Sequence, residues 1–181
     1  AGLFNDPPLG FAIFFCHFFS VLIAGFILTR KLPRSKNNTL TLPTKQTQNV
    51  LSETVYSTII SIFTVAVYIS VFYMFIDMAY DIKVLGAISG LLEKLFININ
   101  VDPFFAKGIA SGFIEMTRGL AEIKATTNLK LKLIVSTALI SFGGLSVFIQ
   151  SLTFLNKTKI KALYFLKIKC LQLLVSIIIS T

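Results

Sequence analysis

Four stretches of this sequence leave the chain little choice of solvent. Residues 9–29, 54–76 and 133–155 hold no Asp, Glu, Lys or Arg over 21, 23 and 23 positions. Residues 162–181 carry only Lys167 and Lys169. At 1.5 Å per residue, a 21-residue helix reaches roughly 31 Å, the thickness of a hydrocarbon core. In water the 54–76 run could be a pair of buried strands, but its length and its lack of turn residues favour a spanning helix. Composition points the same way. Hydrophobic residues make up 55% of the 181 and charged residues 14%, against about 45–50% and about 25% in a soluble domain. Disorder is excluded, because it requires low hydrophobicity. The expected fold is all-α: a polytopic helical integral membrane protein with re-entrant or broken helices.

The net charge of +9 would suggest nucleic acid in a soluble protein. Here the basic residues flank apolar runs, so the lipid bilayer is the expected partner and nucleic acid is not. Residues 30–45 and 156–169 each carry five Lys or Arg and no acid, so both are expected on the cytoplasmic side. Residues 1–29 read as an N-terminal transmembrane helix closing a preceding region of a longer protein. Residues 30–53 read as a basic polar loop and 54–181 as a membrane domain. Tyr68, Tyr73 and Tyr80 are expected as interfacial anchors, as are Lys167 and Lys169.

The 82–129 region must return to the side from which it left, and a hairpin of two partial helices would do so. Within it, 83–100 has apolar residues at helical spacing, an amphipathic pattern. Asp102-Pro103 is a helix start, and the helix is expected over 103–118 with Gly119 as its stop. At 16 residues, with Lys107, Glu115 and Arg118 in it, it is too short and too charged for a lipid-facing span. A re-entrant element, held in protein or against water, fits better.

On a continuous helix Gly108, Gly112, Glu115 and Gly119 would share one face. The glycines are candidate helix-packing positions. Glu115 has two readings: a solute or cation site, because a carboxylate at membrane depth is costly and often functional, or a packing residue paired with Arg118, itself paired with Glu122. Gly143-Gly144 marks a close contact or a kink in the third long span. Ser146 and Gln150 follow on the face of Gly143, as ligand contacts or as bonds to a neighbouring helix. His17 is read as a satisfied core histidine or a proton relay. Cys16 and Cys170 are expected as small buried hydrophobes. No phosphate loop, nucleophile elbow, zinc-peptidase motif or Cys/His cluster is present. An enzyme, a metal site and a cofactor are therefore not expected.

Two motifs carry a resemblance. Gly112-Phe113-Ile114-Glu115-Met116-Thr117-Arg118-Gly119 resembles the G-F-x-E-x-T-x-G signature of the sporulation integral membrane protein YlbJ family. Ser141-Phe142-Gly143-Gly144-Leu145-Ser146-Val147-Phe148-Ile149-Gln150 is similar to that family's F-G-G-L-S-x-x-x-Q helix. The family belongs with the nucleoside-recognition or Gate domains, and this chain corresponds to its C-terminal half. The resemblance implies a multi-pass inner-membrane protein of the forespore or mother cell, needed for endospore formation around cortex assembly. Residues 54–181 would then be Gate-like. It implies a transporter-like role with a small polar solute or nucleoside-like ligand held at Glu115, Thr117, Gly143, Gly144, Ser146 and Gln150. The alternative is a non-transporting assembly protein that contacts other sporulation membrane proteins.

Overall fold

The computed structural model describes residues 3–30, 50–155 and 160–181. Most of the basic 30–53 loop, and Lys157 and Lys159, lie outside the described residues. The described residues form helices and no strands: α1 (Pro7–Thr29), α2 (Val50–Asp81), α3 (Val84–Asn98), α4 (Phe104–Ile114), α5 (Met116–Glu122), α6 (Leu129–Phe142), α7 (Gly144–Leu155) and α8 (Ala162–Ser180). A 3-10 turn, Ile123–Ala125, follows α5. Four elements are long and apolar enough to cross a membrane: α1, α2, the α6–α7 pair and α8. The chain is a multi-pass helical membrane protein.

Local chemistry sets the helix ends. Asp6 caps α1 by accepting from Leu9 N–H at 3.1 Å, and Pro7 and Pro8 fill the first turn, where missing amide hydrogens cost nothing. The left-handed Lys83 (φ 62°) separates α2 from α3. Asn128 caps α6 through Leu131 N–H. α3 buries Leu85 and Ser89 but leaves Val84, Ile88, Leu91 and Leu95 exposed. Its apolar face is therefore shared between the protein and lipid, as an interfacial helix requires.

α1, α6 and α8 pack together. The first turns of α1 (Asp6, Leu9) and α6 (Leu129, Lys130) meet the last residues of α8 (Ser180, Thr181) around one cleft. So α1 and α6 run one way and α8 runs back. Arg30 and Lys161 consequently lie at the same end of the bundle, where the charge pattern places both basic stretches. Small side chains permit this packing: Ser20, Ser136, Ser141 and Ser176 are fully buried. Between spanning helices, close approach replaces the hydrophobic drive that lipid removes. Half of the most apolar window of α6–α7 is buried and only 6% of that of α2. The interrupted span is central and α2 is peripheral. α2 also begins at Val50, four residues before the expected start of the run, because Leu51, Ser52 and Glu53 continue its helix.

The expected single helix over 103–118 is not what forms. α4 stops at Ile114, Glu115 adopts extended backbone (φ −141°, ψ 116°), and α5 starts at Met116. α5 folds back along α4. Gly119, expected as a stop, lies inside α5, and its Cα faces Gly108 O and the Cα of Gly112 across the hairpin. Gly108, Gly112 and Gly119 do pack helices, but they do so between antiparallel arms rather than along one stripe.

Candidate functional site

The α4–α5 turn lies at a calculable depth. α4 has 11 residues, roughly 16 Å at helical rise. That is about half of a hydrocarbon core of roughly 30 Å. The return arm brings Lys124 beside Lys132 of α6, where Lys132 Nζ donates to Lys124 O at 3.0 Å. Both ends of the hairpin therefore lie toward the end of the bundle where α6 starts, and Glu115 is its tip, near mid-depth.

At that tip Glu115 is 1% exposed. Its Oε2 accepts from Arg118 N–H at 2.8 Å and from Thr117 Oγ1 at 2.6 Å. An acid at a helix start meets unsatisfied N–H groups, which it both caps and balances electrostatically. The expected Glu115–Arg118 pairing thus exists through the backbone amide. The Arg118 guanidinium turns away, to Glu122 Oε1 and Asp77 Oδ1, each at 3.1 Å, and lies over the Tyr73 ring at 5.4 Å. Asp77 is 59% exposed, and exposed ion pairs contribute little. Asp77→Asn is expected to lower stability by less than about 1 kcal/mol, read as a shift of the melting temperature.

α2 supports the hairpin with one polar face. Tyr73 Oη lies 3.3 Å from Thr117 Oγ1, and Tyr80 Oη lies 3.0 Å from Ser111 Oγ. Tyr68 Oη meets Thr153 of α7 at 3.2 Å. All three tyrosines were expected as interfacial anchors. Tyr73 and Tyr80 instead place their hydroxyls on the hairpin, because a phenol with a protein partner avoids the cost of an unsatisfied hydroxyl.

The second interrupted element meets the tip directly. Gly143 (φ 84°) and Gly144 (φ 71°) are both left-handed and separate α6 from α7. A Cβ on Gly144 would sit 3.0 Å from Ile114 O and 3.1 Å from Gly112 O. The α6–α7 break thus rests against the last carbonyls of α4, one residue before Glu115. Left-handed backbone excludes most side chains, and the backbone oxygens cannot retreat. Gly144→Ala is expected to cost about 2–4 kcal/mol, measured by melting in detergent. Gly25→Ala, with nothing within 4 Å of the new methyl, serves as the neutral control.

Of the residues singled out in the sequence, Glu115 and Thr117 bond each other at the hairpin tip and Gly144 packs on the Gly112 and Ile114 carbonyls beside it, while a Cβ on the adjacent Gly143 would sit 3.1 Å from the Val147 side chain. Ser146 is buried, at 1% exposed. Gln150 is half-buried, six residues up α7 from Gly144, and its side chain makes no hydrogen bond among the described residues.

A polar cluster on the α6 side of the break was not visible as a unit. His17 Nδ1 lies 3.1 Å from Ser141 Oγ, Ser20 Oγ is 3.5 Å from the same atom, and Ser20 Oγ donates to His17 O at 2.7 Å. Lys169 Nζ donates to Ser141 O at 3.4 Å. Lys167 is exposed, as an anchor should be, whereas Lys169 is half-buried and reaches inward. Cys170 is exposed and Cys16 partly so; neither is the buried hydrophobe expected, since both helices turn those positions outward. No three metal-ligating side chains gather among the described residues. Comparison with known proteins finds no matching family model, no similar curated protein and no similar solved structure.

Proposed function

We propose that this chain is the solute-binding part of a transporter-like membrane protein. A small polar or nucleoside-like solute is held where the hairpin tip meets the α6–α7 break. The observation that carries this reading is the contact of Gly144 with Ile114 O and Gly112 O, beside the buried Glu115. Two interrupted helical elements crossing near mid-depth leave backbone groups without helical partners, and such crossings are where transport sites form. Gln150, half-buried on α7 with no side-chain hydrogen bond among the described residues, supplies a second recognition group of both donor and acceptor character. Glu115 supplies the charge. The side bearing Arg30 and Lys161 is cytoplasmic on this reading, by the excess of basic residues there. The two motifs resembling the YlbJ family set the physiological part of the proposal: a role in endospore formation around cortex assembly, in the inner membrane of the forespore or mother cell.

The competing reading is a non-transporting assembly protein of the same membrane. One observation favours it: Glu115 Oε2 is already engaged by Arg118 N–H and Thr117 Oγ1, as a purely structural cap would be. Uptake of labelled nucleosides and other small polar solutes into proteoliposomes separates the two. Transport predicts uptake by the wild type and its loss in Gln150→Ala at unchanged melting temperature. Assembly predicts no uptake of any solute.

A further inference from the structure

The α6 break creates an acceptor problem that the solute reading does not address. In an uninterrupted helix the Ser141 carbonyl would accept from the amide of residue 145. The paired left-handed glycines end that ladder. Gly143 N–H still reaches Leu139 O at 2.8 Å, but Ser141 O is left to Lys169 Nζ of α8, at 3.4 Å. Around this point lie neutral groups: Ser141 Oγ, Ser20 Oγ and the His17 ring. Among the described residues no carboxylate pairs with Lys169. An ammonium thus stands against the Ser141 carbonyl at the negative end of a half-helix, at the residue whose hydroxyl joins the Ser20 and His17 cluster, in the membrane-spanning bundle.

Freed carbonyls at the C-terminal end of a broken helix are the ligands by which interrupted helices hold monovalent cations. We infer that the α6 break is a monovalent-cation site whose occupant is the chain's own Lys169 ammonium. The side chain is tethered from α8, so its positive charge is supplied regardless of the salt outside. The break therefore needs no dissolved sodium or potassium ion, and the intact protein is indifferent to which of them is present. Remove the ammonium and the same oxygens become a vacant site that a dissolved cation can fill. This follows from the geometry of the break and stands whether or not a solute binds at Glu115.

The test is the melting temperature of the purified chain in lipid nanodiscs, in sodium, potassium or choline chloride at one ionic strength. Choline is too bulky for the site, so it controls for screening. The wild type and Lys169→Arg should melt at the same temperature in all three salts. Lys169→Met should melt about 3–10 °C lower in choline, because a charged hydrogen-bond donor has been removed from a buried acceptor. It should regain most of that loss in sodium or potassium. A wild type that melts higher in sodium or potassium than in choline overturns the inference. So does a Lys169→Met protein that loses stability equally in all three salts, loses none in any, or folds in none, since a dissolved cation should have filled the vacancy.

Discussion

Gly119→Ala is expected to be the most damaging single methyl that can be added to this protein, at about 3 kcal/mol or more. The new Cβ would overlap Gly108 O and the Cα of Gly112, with Gly112 N at 2.7 Å. All three are backbone atoms, so relief requires the arms of the hairpin to part. Parting them moves Glu115 off the Gly144 break and opens the close contact of Gly108, Gly112 and Gly119 between the arms. The other two hairpin glycines grade below it. At Gly108 the methyl meets the branch methyl of the fully buried Ile123, and only one backbone atom, Gly119 O at 2.9 Å. At Gly112 it meets the two Leu139 methyls at 2.7 and 2.8 Å, the far end of a flexible side chain. The expected order of lost stability is therefore Gly119, then Gly108, then Gly112. Melting temperatures of the three alanine variants check it. Had α4 and α5 formed one straight helix with the glycines along it, that order would have no reason to hold.

The second large effect is at Glu115, where stability and activity are expected to part. Glu115→Ala removes the cap of α5 and leaves Arg118 N–H without its acceptor at a buried point, while the Thr117 hydroxyl keeps only the longer bond to Tyr73 Oη. Loss of a cap costs about 1 kcal/mol, and a stranded buried donor about 1–3 kcal/mol more. A melting temperature lower by about 4–12 °C is expected for a protein of this size. Glu115→Gln keeps an acceptor oxygen for the same two donors, so its stability should stay within about 1 kcal/mol of wild type. If the carboxylate charge serves the solute, this well-folded variant loses uptake in proteoliposomes. If Glu115 is only a cap, Gln is neutral in every assay. The pair of substitutions reads cap and charge separately.

The spans were legible because lipid imposes a blunt rule: a run long enough and free of charge must cross. The hairpin was legible as a need, since residues 82–129 had to return to their starting side. Its turn was not placed, for a physical reason. Glycines at spacings of three and four give the same sequence pattern whether they line one helix or face each other across two antiparallel arms. The local signal lay in Glu115-Met116-Thr117-Arg118, an acid whose own helix begins one residue later, but inside an apolar stretch it looked like helix interior. The Gly143-Gly144 break was marked plainly, because two consecutive glycines are where left-handed backbone is permitted. Its contact with the hairpin tip was not marked, as nothing in either motif encodes the other. The partner of His17 was beyond sequence reading altogether: Ser141 is 124 residues away, and no spacing rule acts over that distance. Lys169 looked like an anchor because snorkelling is the usual fate of a lysine in a span. Its inward turn follows from a carbonyl freed by a break on another helix.

The fold-back at Glu115 is what puts a carboxylate at mid-depth, and membrane sidedness of its two flanks tests it most directly. Asn100 and Thr127 flank the α4–α5 hairpin and are both exposed. Each is replaced by cysteine in a background lacking Cys16 and Cys170, and a membrane-impermeant thiol reagent is added to sealed, uniformly oriented vesicles. A re-entrant hairpin predicts that both positions react from the same side, and that neither reacts from the other. Labelling from opposite sides would mean that this segment crosses the membrane, with Glu115 carried through it rather than held at its turning point.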